Sequence, residues 1–513
     1  MSKRGKIRLG VASLVAAALV LVPLVLRWKA QWQLSAYRKK LIAAGEKLTV
    51  TELTPQKNVA TNSERFLRLV ASLRLRPYDD YYPYGMGTIK PGVARVAWQQ
   101  AQLMESVFII RSSTYSLRTN VWPTLAGAFQ TNGQTLDEIR TMLVSGGISF
   151  MEDYSQPLLR GFDHLTALKN SVRIFNARAI LSLHEGQAKE TLPDLQCCGM
   201  ISDVPAKDPL IIDQLVRYAC MAITATSCWE ALQTNGWTDS QLAELQRQWD
   251  QPDILADARV SIALERARAP MYFEMGRTSR QGLDYMLGGD SGIKDNSGIW
   301  KDFLMNIEAV PGDLLDAYPR YWGWKWIWSY RDEQRYLESM QAMIEDLQDA
   351  QKGRPILSLL KDRDDPSFSD SHPGRGKSID IPQLMTGSIE RFVIKALRAQ
   401  TEANMVTTAI VLERYRLAHN AYPDALAKLV REFVRMVPVD CMDGHDLRYR
   451  LNPDGTYLLY SIGEDGVDNG GDPTPEKGKA PGLFNGRDWV WPRAATADEM
   501  QAYEAEQSKV ARK

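Results

Sequence analysis

Histidine and cysteine are scarce in this chain. Five histidines (His164, His184, His372, His419, His445) and five cysteines (Cys197, Cys198, Cys220, Cys228, Cys441) are spread through 513 residues. No Cys-x-x-Cys occurs and no cysteine has a histidine at zinc-finger spacing, which excludes a zinc ribbon or finger. His-Glu-x-x-His, Gly-x-Ser-x-Gly and a Gly-x-Gly-x-x-Gly opening a βαβ unit are also absent, so the local signatures of zincins, α/β-hydrolases and dinucleotide enzymes fail. A triad assembled from distant residues leaves no such trace, and an enzyme therefore stays open as the alternative to a non-catalytic protein. Excess charge is missing too. Lys+Arg and Asp+Glu both number 62, and the basic, aromatic-bearing signatures of nucleic-acid modules do not occur, so no nucleic-acid partner is expected.

What is present is a globular composition, 44% hydrophobic and 24% charged, in a chain long enough for two or three domains. Cys220 and Cys228 fall on one expected helix and read as small core residues, with a disulfide as the alternative. At the amino terminus Lys3, Arg4, Lys6 and Arg8 precede an uncharged run from Leu9 to Leu26. At 1.5 Å per residue that run reaches ~27 Å, close to a bilayer core. It enters Arg27-Trp28-Lys29 with no small-residue cleavage site. The expectation is an uncleaved transmembrane helix within 1–29, with a cleaved signal and a buried soluble helix as the alternatives. It implies a single-pass protein of the cell membrane with the bulk of the chain extracytoplasmic. Arg27, Lys29, Arg38, Lys39 and Lys40 beyond the run weigh against that orientation.

From 30 to 361 the apolar periodicity is helical, and the expectation is a large all-α domain able to bind a protein partner. Leu165 to Glu185 reads as one helix stopped by Gly186. Asp208-Pro209 reads as a helix start, and Thr238-Asp239-Ser240-Gln241 as a capping box. Three stretches interrupt the pattern. Tyr78 to Gly85 is a Tyr-rich loop and Gly288 to Gly298 a polar connector without the Gly-Lys-Ser/Thr of a P-loop. Tyr321 to Trp328 is the densest aromatic run, read as packing between two helices, with contact to lipid headgroups as the alternative. Residues 362–387 collect Asp, Ser, Pro and Gly and form the linker.

The remainder, 388–493 with a polar tail 494–513, changes character. A helical stripe runs from Ser388 to about His419, and Tyr422-Pro423 ends it. Leu447, Tyr449 and Leu451, then Tyr457, Leu459 and Ser461, alternate as strands around the turn Asn452-Pro453-Asp454-Gly455. Next come Ser461-Ile462-Gly463-Glu464-Asp465-Gly466, Gly470-Gly471 and finally Asp488-Trp489-Val490-Trp491. The loop is acidic and glycine-rich, which suits a hard cation with oxygen ligands as well as a plain surface loop.

This order of motifs resembles the soluble part of the major pseudopilin of bacterial type II secretion systems. The resemblance covers about a fifth of the chain. It implies a small α+β fold, one long helix on a short antiparallel sheet, and a bound Ca²⁺. By position the implied ligands are Asp465, the carbonyl of Ile462 and Asp488, with Asp468 and Asp472 as further candidates. The sequence departs from the family elsewhere. No Glu follows Gly5 at the processed position, about 360 residues separate the amino-terminal run from the module, and Cys441-Met442 replaces the usual Pro-aromatic pair. Filament assembly is therefore not expected.

The sequence-level expectation is a mainly α protein with an amino-terminal transmembrane helix, an all-α helical domain and a carboxy-terminal pilin-like α+β domain. The implied role is a membrane-anchored, exported scaffold or interaction protein stabilised by calcium. The alternative is an envelope enzyme with its site in the helical domain.

Overall fold

Helices dominate because apolar residues recur at every third and fourth position over long stretches. The computed structural model describes residues 3–54, 62–75, 83, 85–101, 120–150, 154, 162–286, 318–357, 381–475 and 477–510. Most of the Tyr-rich loop, all of 287–317 with the polar connector, and 358–380 of the linker lie outside the described residues.

The first helix, α1 (Lys3–Ala43), corrects the expectation of a membrane span. Among the described residues no helix is long and apolar enough to cross a membrane. The run from Leu9 to Leu26 is instead the front of a 41-residue helix with Pro23 inside it. The second half of that helix belongs to the fold. Ala30, Leu34 and Leu41 are buried, Arg27 Nη1 donates to the Lys325 carbonyl at 2.9 Å, and Arg38 pairs with Glu333. An uncharged stretch shows that a helix could enter a bilayer. It does not show where the helix ends, and this one continues into the body.

Short helices α2 (Val50–Leu53) and α3 (Ser63–Ser72) follow, then strands β1 (Gly87–Lys90) and β2 (Val93–Arg95). Next comes a run of packed helices: α4 (Trp122–Ser145), α5 (Asp163–His184), α6 (Ala188–Ala206), α7 (Ile211–Leu232), α8 (Asp239–Asp250), α9 (Ile254–Thr278) and α10 (Arg280–Met286). Local chemistry sets several boundaries. Gly186, at φ +74°, stops α5. Gln241 N reaches Thr238 Oγ1 at 3.4 Å while Thr238 N reaches Gln241 Oε1 at 3.0 Å, completing the capping box of α8. α7 begins two residues later than Asp208-Pro209 suggests, because Asp208 Oδ1 accepts from Leu210 N and holds an extended residue before the helix.

Beyond the gap, α11 (Tyr318–Gly323) leads into one π-helical turn (Trp324–Trp328) and then α12 (Ser329–Gln351). α13 (Ile381–His419) begins within the expected linker and ends where Asn420 takes φ +56°. It is buried on almost all sides between α7, α8, α9 and α12. A short 3₁₀ turn (Leu426–Leu429) precedes β3 (Arg448–Leu451) and β4 (Tyr457–Ser461), which form the expected antiparallel hairpin with Leu451 opposite Tyr457. β5 (Trp489–Val490) pairs antiparallel with β4.

The chain then crosses to the other sheet. β6 (Arg493–Ala494) lies parallel to β2, with Val93 opposite Arg493, before α14 (Ala497–Val510) closes the described residues. Trp229 Nε1 donates to the Pro492 carbonyl at 2.7 Å, and the Glu230 carboxylate accepts from Met86 N and Ala97 N at 2.8 and 3.0 Å. One apolar core consequently runs from Leu34 through Trp229, Leu337, Val393 and Ile410 to Leu459 and Trp489. A second core joins α3 to α7 around Phe66, Leu136, Leu168 and Ile201.

Candidate metal centre

The loop after β4 is built on a carboxylate that the sequence reading passed over. Asp440 is fully buried, and its Oδ1 accepts from Met442 N at 3.0 Å and Ser461 Oγ at 2.9 Å. Its Oδ2 accepts from Ile462 N at 3.0 Å and Arg448 Nη1 at 3.2 Å. Burial pushes its carboxyl up, and the hydrogen bonds to the ionised form oppose that. Asp440 thus fixes the start of the loop, and Gly463 makes the turn out of it. Gly463 has φ +72°, and a Cβ there would lie 2.8 Å from the Arg487 carbonyl oxygen, so only glycine fits without movement.

The five expected ligands occupy this loop as follows. Asp465 is exposed; its Oδ1 accepts from Val467 N at 2.9 Å and its Oδ2 from Asn469 Nδ2 at 3.1 Å. Asp468 Oδ1 accepts from Gly470 N at 2.9 Å and from the Tyr460 hydroxyl at 3.1 Å, while Oδ2 lies 3.6 Å from Arg448 Nε. Asp472 Oδ1 accepts from Thr474 N at 3.0 Å, which holds its carboxyl below the usual range, and Oδ2 lies 3.6 Å from Arg487 Nη1. Ile462 is buried, with its N–H on Asp440.

Asp488 differs from the other acids. It is fully buried, and three backbone N–H groups close on it. Asn469 N reaches Oδ1 at 3.2 Å, and Gly471 N and Asp472 N reach Oδ2 at 2.6 and 3.1 Å. Burial raises its carboxyl above the usual range, those three bonds oppose the rise, and the nearby Asp468 charge adds to it. Among the described residues Asp488 forms no ion pair with a Lys or Arg.

The structure therefore gathers Asp468, Asp472 and Asp488 around the Asn469–Asp472 backbone, and Asn469 bridges Asp465 to Asp488. It does not aim them at one point. Among the described residues no three His, Cys, Asp or Glu side chains form a group that could hold a metal. The physical reason lies in local turns. Asp465, Asp468 and Asp472 each cap the N–H two residues on, which turns each carboxylate toward its own backbone. The donor set is nonetheless all oxygen and carboxylate-rich, the set that suits Ca²⁺ over softer ions.

A second group of buried titratable residues lies in the helical region. His164 Nε2 is 3.7 Å from Asp213 Oδ1, and its ring stacks on Phe150 at 4.8 Å between centroids. Burial, and then the Asp213 charge, pushes Asp208 up to about 7. The spacing of His164, Asp208 and Asp213 in sequence gave no sign of this grouping, since α5 and α7 bring it together only on packing.

Neither a family model, nor a curated protein, nor a solved structure matches the chain.

Proposed function

We propose that this chain is a non-catalytic scaffold or interaction protein working outside the cytoplasm, with a pseudopilin-like carboxy-terminal module that calcium stabilises. One observation carries the calcium part. Asp488 is a fully buried carboxylate answered by backbone N–H groups, with Asp468 raising its proton affinity, Asp472 donating its own N–H to it and Asp465 linked to it through Asn469. A hard divalent cation is the group that would relieve that crowding, and Asp488, Asp468, Asp472, Asp465 and the Ile462 carbonyl are the residues that would hold it. Extracellular calcium modules bind at ~10⁻⁴–10⁻³ M, a range suited to an exported protein.

The test uses the full chain, because the core continues from the long helix into α7, α8, α9 and α12. A site filled at 100 times its Kd adds about 2.7 kcal/mol. Calcium should therefore raise Tm by several degrees, with magnesium much weaker. Asp465→Ala, at an exposed position, should remove the gain while leaving the calcium-free Tm close to wild type. Asp454→Ala, in the hairpin turn, should keep the gain. Identical melting curves in calcium and in chelator would end the metal reading.

A second reading, an enzyme with its site in the helical domain, draws on the His164, Asp208 and Asp213 group. Groups kept for chemistry rather than stability can be removed cheaply. On that reading His164→Ala and Asp208→Asn leave Tm unchanged or higher, whereas a loss of several degrees marks the group as structural.

A further inference from the structure

The aromatic run at Tyr321–Trp328 does not pack wholly between helices. Trp324 is buried, with Nε1 donating to Asp332 Oδ2 at 3.1 Å and its ring tilted on Phe273. Its neighbours face outward: Trp322 is 45%, Trp326 43% and Trp328 40% exposed. The π-helical turn is the cause. Five residues in a widened turn carry three indoles, and only one can enter the core.

These rings sit beside α1. Arg27 reaches the Lys325 carbonyl and the Tyr330 hydroxyl and lies 4.9 Å over the Trp326 ring, while Lys325 Nζ lies 5.1 Å over Trp322. Further along, Arg38 meets Glu333 and Gln341 Nε2 donates to Glu46. The two helical segments therefore run side by side in the same direction, and Trp28 stands level with the π-helical turn. Trp28 and Trp32 are 69% and 65% exposed, one turn apart on the same stripe of α1. Just before them Leu24, Val25 and Leu26 are also exposed.

On α1 and along the aromatic run charge has one sign, and Glu274 of the neighbouring α9 is paired with Arg277. No Asp or Glu occurs between Lys3 and Ala44, or between Tyr318 and Arg331, while Lys29 and Arg331 are exposed. Indoles interleaved with Lys and Arg, wrapped at one height around a helix pair, match a planar layer that is anionic outside and apolar beneath. A protein partner would more commonly meet a flat patch on one side.

We propose that this collar docks on the headgroup layer of an anionic lipid bilayer. The indoles of Trp28, Trp32, Trp322, Trp326 and Trp328 would lie at the interface, with Lys29, Lys325 and Arg331 on lipid phosphates. Such a contact lies in the plane of the interface and needs no crossing of the bilayer. It is independent of the calcium reading, which concerns residues on β4 and beyond.

The experiment measures partition of the full chain onto mixed phosphatidylcholine–phosphatidylglycerol vesicles and onto pure phosphatidylcholine vesicles. The mixed vesicles should bind it more tightly, in a salt-sensitive way. Tryptophan emission should shift to the blue and be quenched by lipids brominated near the carbonyl end of the chain. Trp322→Ala/Trp326→Ala/Trp328→Ala should lower the partition coefficient roughly tenfold or more. Circular dichroism should show the helices intact, and Trp322→Phe/Trp326→Phe/Trp328→Phe should recover part of the loss. Equal partition of the alanine variant would overturn the proposal. So would a change in sedimentation between wild type and that variant without lipid, since the collar would then pair two copies of the chain.

Discussion

Buried acids are neutralised in two different ways in the two parts of this molecule. Between helices of the body they are met by arginines, whereas Glu230, which faces the β1–β2 segment, is met by the N–H groups of Met86 and Ala97. Asp194 accepts from Arg178 and Arg140, and Glu333 lies between Arg38 and Arg277. After the long helix they are met chiefly by backbone N–H groups, at Asp488 alone and at Asp440 together with Ser461 and Arg448. The difference follows from secondary structure. Helix interiors have already used their N–H groups on the i−4 carbonyls, so a buried acid between helices needs a side-chain cation. A turning loop has unspent N–H groups and can solvate a carboxylate itself.

The sharpest break of this comparison is to empty both kinds of site. Asp194→Ala leaves two guanidinium groups facing a buried gap and should cost ~3–5 kcal/mol in urea unfolding. Asp440→Ala orphans two N–H groups and the Ser461 hydroxyl, leaves Arg448 with Asp443 and Asp468, and should cost ~2–4 kcal/mol. The conservative variants separate the mechanisms. Asp440→Asn keeps an acceptor for the N–H groups and should recover much of its loss, while Asp194→Asn should recover little. Similar recovery at both sites would show that the two kinds of neutralisation are not distinct.

A smaller effect is expected where the loop backbone must hold its shape. Gly463→Ala puts a methyl against the Arg487 carbonyl at positive φ and should cost ~1–3 kcal/mol, since the chain on either side anchors Asp440 and Asp488. An unchanged denaturation midpoint would mean that the backbone cradle is pliant.

The smallest effect sharpens the comparison at its exception. Among the described residues Glu402, on the long helix, is buried with neither an arginine hydrogen bond nor a backbone cradle, and burial pushes it up to about 7 against the pull of Arg398. A raised carboxyl favours the folded state in its protonated form. Its contribution is fully present below the unfolded value near 4.3 and fades as pH rises through about 7. Stability should therefore rise as pH falls from 8 to 5, and Glu402→Gln should flatten that rise while adding on the order of 1 kcal/mol at pH 8. Glu230 and Asp208, also pushed up to about 7, keep part of the slope in that variant. A Glu402→Gln protein with the wild-type pH profile would show that Glu402 is already solvated.

Local signals carried the sequence reading well and distant ones did not. The capping box at Thr238, the stop at Gly186 and the hairpin around Asn452–Gly455 are set by neighbours in the chain, and each forms. The long helix was visible from its apolar stripe, yet its burial on almost all sides depends on α7, α8, α9 and α12 arriving from elsewhere. No local signal marks Asp440, because its partners Ser461 and Ile462 lie 21 and 22 residues away. Asp465, Asp468 and Asp472 are close in sequence. What composition did not reveal is that each turns to an N–H two residues on. The aromatic run was misjudged for a related reason: a π-helical turn removes the 3.6-residue period that sorts core from surface.

The parallel pairing of β6 with β2 sets a clock on the folding of this chain. Val93 must wait for Arg493, 493 − 93 = 400 residues later. At ~5–20 residues per second, synthesis leaves that strand edge without its neighbour for roughly 20–80 s. Trp229 in its turn waits 263 residues for the Pro492 carbonyl that will receive its indole N–H. A nascent chain with an open edge for that long is one for which a chaperone, or slow release, decides between folding and association with another copy.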